Sequence, residues 1–228
     1  MSGPMNLSGW TLAFDLDGTL VETAPDLIGS LNTVLIEQGL PPVTLASARH
    51  LVGRGVRVML EHGFQEAGAA FDAEADAALM DRFIEVYLDR IADESRPFPG
   101  VVETLDAFTA TGAILVVVTN KRTDLSLALL DALDLTRRFA AVIGPDQVSA
   151  RKPSGAHLSE AVQLVGGDPA RTIMIGDSRP DLETARALGA PVILTSFGYT
   201  DPPARDLGAD AVIEDFSDLT ATINRLIA

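Results

Sequence analysis

Short apolar runs that end abruptly in polar or glycine residues constrain this chain more than any other feature. They are Trp10 to Phe14, Ile114 to Val118, Ala141 to Ile143, Thr172 to Ile175, Pro191 to Leu194 and Ala211 to Ile213. Runs this brief and this continuously apolar suit strands buried on both faces of a parallel sheet. Segments with helical spacing lie between them. Leu125, Leu129 and Leu133 recur every four residues, and Leu158, Val162 and Val165 nearly so, each predicting an apolar stripe packed on the sheet. Strand and helix alternating from about residue 100 onward predict a doubly wound, Rossmann-like α/β core with a parallel sheet.

Residues 22 to 95 follow a different rule, with helix-like patterns and no convincing strand. Leu27, Leu31, Val34 and Leu35 form one stripe, and Leu79, Phe83, Val86 and Tyr87 another, after an Asp72 placed to cap a helix start. The expected organisation is an α/β core built from residues 9–21 and 96–228, with an all-helical cap at 22–95 inserted after the first strand. Its exits are the turn-rich stretches Val21 to Pro25 and Ser95 to Gly100, where Pro97 and Pro99 disfavour helix.

Charge narrows the partners. A formal net charge of -15 repels polyanions, so nucleic acid and anionic membrane are poor partners, and a small anionic substrate needs a local positive site. The absence of cysteine removes disulfides and thiolate metal sites and fits a reducing compartment. Residues 1 to 9 lack the pattern of a secretory signal, and no apolar stretch approaches the ~18 residues of a membrane span. The expectation is a cytoplasmic protein, monomer or homodimer.

The chemistry gathers at strand ends. Asp15 directly follows an apolar run, Asp17 stands two residues on, and Gly18 permits a sharp turn. Open α/β sheets bind ligands at the carboxyl ends of their strands. Two carboxylates so close favour a divalent cation, and an oxygen-rich site suits magnesium. Taken alone, the segment has a lesser alternative reading as a surface turn rich in Asp and Gly. Thr119 and Asn120 end a second strand with a hydroxyl and backbone amides that suit phosphate oxygens. Asp177 ends a third, with Asp181 four residues later; alone this reads as a helix start. Lys152 follows the strand at 141 to 143 in a loop able to reach the same edge. Convergence of these groups predicts a metal and phosphate site.

In this order, Asp15-Leu16-Asp17-Gly18-Thr19, Thr119-Asn120, Lys152-Pro153 and Gly176-Asp177-Ser178-Arg179-Pro180-Asp181 resemble the motifs of the haloacid dehalogenase superfamily, phosphatase branch. The likeness spans nearly the whole chain, because the insert resembles that family's small helical cap. Leu51 to Val56 and Ser196 to Asp201 are similar to bacterial phosphoglycolate phosphatases. Ser154-Gly155 departs from the His-Pro often found after the Lys-Pro pair. The resemblance implies Asp15 as nucleophile and Asp17 as acid and base. It implies Mg2+ held by the carboxylates of Asp15 and Asp177 and the Asp17 carbonyl. Lys152, Thr119 and amides near Leu16 and Asn120 would stabilise the transferring phosphoryl group, with Asp181 orienting the metal shell or Lys152. An aspartate at residue 17 speaks against dehalogenase activity.

The expected substrate is a small phosphorylated metabolite, with 2-phosphoglycolate favoured and Arg54 in the cap as the group that binds its carboxylate. An exposed helix-end arginine is the even alternative. His50, His62 and His157 show no ligand spacing and receive no role. A phosphosugar phosphatase or mutase of the same fold would use the same residues. From another class, a phospho-accepting receiver would place its lysine last, which this order does not, and a non-catalytic scaffold would tolerate lost motif positions.

Overall fold

The computed structural model describes residues 6–72, 74 and 76–228. Strand β1 (Thr11–Phe14) is fully buried and leads into β2 (Val21–Glu22). Helices α1 (Ala24–Glu37), α2 (Leu45–Ala48), α3 (Val56–Glu66) and α4 (Ala77–Asp89) follow, then β3 (Arg96–Pro97). The remainder alternates as α5 (Val101–Thr109), β4 (Ile114–Val118), α6 (Thr123–Ala132), β5 (Ala141–Ile143), α7 (Gly155–Leu164), β6 (Thr172–Gly176), α8 (Arg179–Leu188), β7 (Val192–Thr195), β8 (Ala211–Ile213) and α9 (Leu219–Ile227).

The sheet order β5-β4-β1-β6-β7-β8 is parallel throughout, as the apolar runs predict. The chain moves outward from β1 to β4 and β5, then returns to lay β6 on the other side of β1. That reversal makes a crevice beside the end of β1, where such sheets bind ligands. Phe14 pairs with Val117 on one side and Ile175 on the other, so Asp15, Thr119 and Asp177 emerge at nearly one level. Strands β4, β5 and β8 keep the expected bounds, while β1 starts one residue later, β6 ends one residue later and β7 is shifted by one residue at both ends. Pro191 precedes β7 because it has no N–H to donate, though its carbonyl accepts from Met174 N–H at 3.0 Å.

Alternate residues of each strand feed opposite faces. Leu12, Phe14, Val117 and Ile175 pack with Leu105, Phe108, Leu129 and Ile223 from α5, α6 and α9. Ala13, Val116, Val118 and Met174 pack with Leu158, Ala161, Val162 and Ala185 from α7 and α8. A third cluster joins α1, α3 and α4 through Leu31, Val34, Leu35, Leu60, Phe83 and Tyr87. Leu125 belongs to this third cluster rather than to the sheet stripe expected for it. It lies in the first turn of α6, just beyond the end of β4, where the helical insert sits.

Two further differences concern the insert. Its crossings are short strands, since β2 and β3 pair antiparallel through Val21 with Pro97 and Glu22 with Arg96. Buried Asp26 ties the return crossing to α1 by accepting from Glu94 N–H at 3.0 Å, Ser95 N–H at 2.7 Å and the Ser95 hydroxyl at 2.7 Å. Asp72 does not cap α4, which starts at Ala77 after Asp76; the Asp76 carboxylate instead accepts from Asp72 N–H at 2.9 Å. Among the described residues no helix is long and apolar enough to cross a membrane.

Candidate active site

Asp15 leaves β1 with its N–H still bonded to Ile175 O at 2.9 Å, which fixes its side chain at the crevice. The next turn is tight: Leu16 O accepts from Leu20 and Val21 at 3.0 and 3.1 Å, and Gly18 adopts φ +85°. A side chain at Gly18 would be strained by that φ and would also meet Asp177 Oδ2 at 2.6 Å. The glycine therefore serves both the turn and the closeness of Asp177.

Lys152 is buried and its ammonium finds three acceptors: Asp15 Oδ1 at 2.8 Å, Asp181 Oδ1 at 2.7 Å and Val118 O at 3.0 Å. That number matches its three protons. Burial alone would push this amine down, but the Asp15 and Asp181 carboxylates outweigh it and hold its pKa above the usual lysine range. Its loop is held from below. His157 Nδ1 accepts from Lys152 N–H at 3.1 Å, and Asn120 Nδ2 donates to Lys152 O at 3.2 Å. Asn120 thus directs its side chain at the Lys152 loop, and its Oδ1 is buried without a partner among the described residues. Thr119 lines the cavity and its Oγ1 accepts from Lys121 N–H at 3.2 Å.

Asp181 lies in the first turn of α8, where its Oδ2 accepts from Asp177 N–H at 3.2 Å, Ser178 N–H at 3.1 Å and Ser178 Oγ at 2.7 Å. Both of its oxygens are engaged, one with Lys152 and one with the turn carrying Asp177. Asp177 in turn accepts from Tyr199 N–H at 2.7 Å and the Thr19 hydroxyl at 3.4 Å. Gly198 allows this, since a Cβ there would fall 2.2 Å from Asp177 Cβ.

Asp15, Asp177 and Asp181 each bring a carboxylate oxygen within 4.8 Å of the others. Burial, with neighbouring carboxylates adding, pushes Asp177 well above the ordinary range. Asp15 is pushed up to about 6, again chiefly by burial, with Lys152 opposing. Raised carboxylates in an all-oxygen donor set are what a hard divalent cation would relieve. The residues present fit magnesium, through Asp15 and Asp177.

Asp17 meets Lys121, whose Nζ stands 3.1 and 3.2 Å from its two oxygens and 4.5 Å from the centre of the Tyr87 ring in α4. Burial opposes the Lys121 charge, but Asp17 and Tyr87 hold its pKa above the usual range. A cavity of about 470 Å³ opens over these groups, and Arg54, exposed, and His50 stand on its wall from the helical insert.

The structure brings together every core residue singled out by sequence and adds Lys121, His157 and Tyr199. Lys121 had a signal in its position just past Asn120 at a strand end. His157 had one too, as the polar member of the buried α7 face.

The sequence profile of the haloacid dehalogenase-like hydrolase family matches residues 12–195. The chain is 57% identical over 219 residues to a phosphoglycolate phosphatase of Caulobacter vibrioides, covering 96% of this chain and 92% of that one. It is 45% identical over 217 residues to a phosphoglycolate phosphatase of Mesorhizobium japonicum, covering 95% and 96%. The crystal structure of a predicted phosphoglycolate phosphatase from Haemophilus somnus 129PT superposes with a TM-score of 0.88 at 28% identity, covering 96% and 99%.

Proposed function

The chain belongs to the haloacid dehalogenase-like hydrolases, and we propose that it is a magnesium-dependent phosphomonoesterase that works through an aspartyl-phosphate on Asp15, with 2-phosphoglycolate as substrate. The observation that carries this reading is the Asp15 carboxylate at the crevice, 2.8 Å from Lys152 and clustered with Asp177. A carboxylate beside an ammonium is ionised when substrate arrives and attacks without a base.

Asp15 attacks phosphorus, the bond from phosphorus to the ester oxygen breaks, and Asp17 gives that oxygen a proton. Asp17 then takes a proton from the water that attacks the acyl phosphate, which frees Asp15 and releases inorganic phosphate and the alcohol. Lys152 and the Thr119 hydroxyl stabilise charge on the transferring oxygens. Magnesium bound to the Asp15 and Asp177 carboxylates and the Asp17 carbonyl would supply compensating charge between nucleophile and phosphate.

Residues 22–95 act as a cap over a core made of 9–21 and 96–228, and exclude water when closed. The apolar cluster centred on α1, α3 and α4, whose buried members come from the insert apart from Leu125 and Tyr199, supports this division. Arg54, on the wall of the cavity that holds Asp15, binds the substrate carboxylate. The names of the relatives support phosphoglycolate as the ester. The receiver reading finds no support in a hydrolase family. A panel of small phosphate esters with magnesium tests the proposal: phosphoglycolate should have the highest kcat/KM, and Arg54→Ala should lower it for this ester most. Equal turnover of all esters would refute the substrate assignment, and an unaffected Arg54→Ala would refute the role given to Arg54.

A further inference from the structure

Tyr199 is bonded at both its main chain and its hydroxyl, and the two ends face different parts of the molecule. Its N–H donates to Asp177 Oδ2 at 2.7 Å. Its phenol oxygen accepts from Thr23 N–H at 2.7 Å and Ala24 N–H at 3.1 Å, and donates to Glu22 Oε1 at 2.7 Å. These amides open α1, where the capping residue ordinarily supplies an acceptor from its own side chain. The capping residue here is Thr23, which makes no such bond, and its Oγ1 is buried without a partner among the described residues. Helix α1 is instead capped from 176 residues away in sequence.

Glu22 extends the connection. Its second oxygen accepts from Arg49 Nη2 at 2.7 Å, and the Arg49 guanidinium stands 5.1 Å from the centre of the Tyr199 ring. Arg49 directly precedes His50 on the cavity wall. The hydroxyl of Tyr199 therefore grips the entry to the helical insert while the backbone of the same residue grips a carboxylate of the candidate metal site. The hydroxyl is buried, and a buried polar group left unpaired is costly, so α1 and Tyr199 are expected to move together.

We propose that Tyr199 is the positioning residue that couples the seat of the helical insert to the orientation of the Asp177 carboxylate. The role rests on the active-site reading above. It makes α1 more than a packing element, since a shift of its first turn reaches Asp177 through one side chain.

Tyr199→Phe tests the coupling, because it keeps the ring and the backbone N–H and removes only the oxygen. In metal-free protein, amide exchange at Thr23 and Ala24 should accelerate about tenfold while α8 keeps its protection. By calorimetry without substrate, the Mg2+ dissociation constant should rise about tenfold. The kcat/KM for phosphoglycolate should fall more than that for p-nitrophenyl phosphate, which depends less on the insert. Unchanged exchange would overturn the capping. Faster exchange with unchanged Mg2+ affinity and an unchanged ratio of the two kcat/KM values would reduce Tyr199 to a structural cap and overturn the coupling. If Tyr199→Phe does not fold, Glu22→Ala removes the acceptor of the phenol proton; the same readouts must shift in the same direction, and no shift overturns the proposal. A wild-type protein inactive on every ester would sink the proposed function, while exchange and metal binding would still judge the coupling.

Discussion

Lys152 Nζ stands 2.8 Å from Asp15 Oδ1, and the same ammonium holds Asp181 at 2.7 Å. Removing it leaves buried carboxylates facing one another without a cation, which costs far more than a surface ion pair. Lys152→Met should destabilise the metal-free protein by about 3 kcal/mol at pH 8 and less at pH 5, where protons can replace the lost charge. Turnover should fall by about 10²-fold or more. Urea denaturation in chelator and in magnesium checks the first part, since added metal should restore part of the loss. Equal stability of variant and wild type in chelator would contradict it.

Asp15 gives a pH dependence of definite sign. Its folded pKa is raised to about 6 by burial, above its unfolded value near 3.8. A carboxyl group raised on folding contributes stability below the unfolded value and loses that contribution as pH rises through the folded one. Asp177 is shifted in the same direction. A bound cation needs these groups ionised, so magnesium binding at pH 5.5 should release protons, and more of them than at pH 8. Calorimetry in two buffers of different ionisation enthalpy measures this directly, and Asp15→Asn should reduce the release. Equal proton release at both pH values would refute the assignment of Asp15 to the metal.

These groups differ in how far the sequence reveals them. Asp15, Thr119 and Asp177 are legible because an apolar run marks a buried strand and its end marks the ligand edge. Lys152 is legible only through its loop's convergence with them. The β2 and β3 pair is not, because strands of this length carry no period-two signal and Pro97 argues against one. The neighbours of Leu125 are not legible either, because helical spacing says which face is apolar, not which neighbour covers it. Tyr199 stands in the Ser196 to Asp201 stretch, but its contact with α1 is illegible for a related reason: a helix start is judged by its local residues, and the acceptor for α1 comes from the loop after β7. Lys121 and His157 look like solvated or core residues until the fold sets them beside Asp17 and Lys152.

His157 gives the opposite pH dependence from Asp15. It is buried, its Nδ1 accepts from Lys152 N–H, and its Nε2 lies 3.3 Å from Ile143 O, so the neutral ring with its proton on Nε2 satisfies both contacts. Burial, helped by the Lys152 charge, pushes its pKa down to about 4. The unfolded chain then takes up a proton near pH 6.5 that the folded protein refuses. Stability from this group is present above about 6.5 and is lost as pH falls toward 4, by about 3 kcal/mol in all. His157→Gln should be less stable at pH 8 by about 1–2 kcal/mol yet decline less steeply, so that the two curves cross between about pH 5 and 6 and the variant is the more stable below. Parallel curves from denaturant titrations would show that His157 is not held neutral.

Asp17 faces Lys121 at 3.1 Å, and under the proposed mechanism it moves protons whereas Asp15 makes the bond to phosphorus, so the two should separate kinetically. With phosphoglycolate the leaving alkoxide needs a proton, so Asp17→Asn should lower kcat by about 10²–10⁴-fold. With p-nitrophenyl phosphate the leaving phenolate is stable without one, and the first transfer should survive. The acyl phosphate then waits for a water that lacks its base. Rapid mixing of Asp17→Asn with this ester should therefore give a burst of nitrophenol close to the enzyme concentration, followed by slow turnover, with phosphate trapped on the protein. Asp15→Asn should give neither burst nor trapped phosphate. A burst in Asp15→Asn, or full turnover by Asp17→Asn, would break the division of labour between the two aspartates.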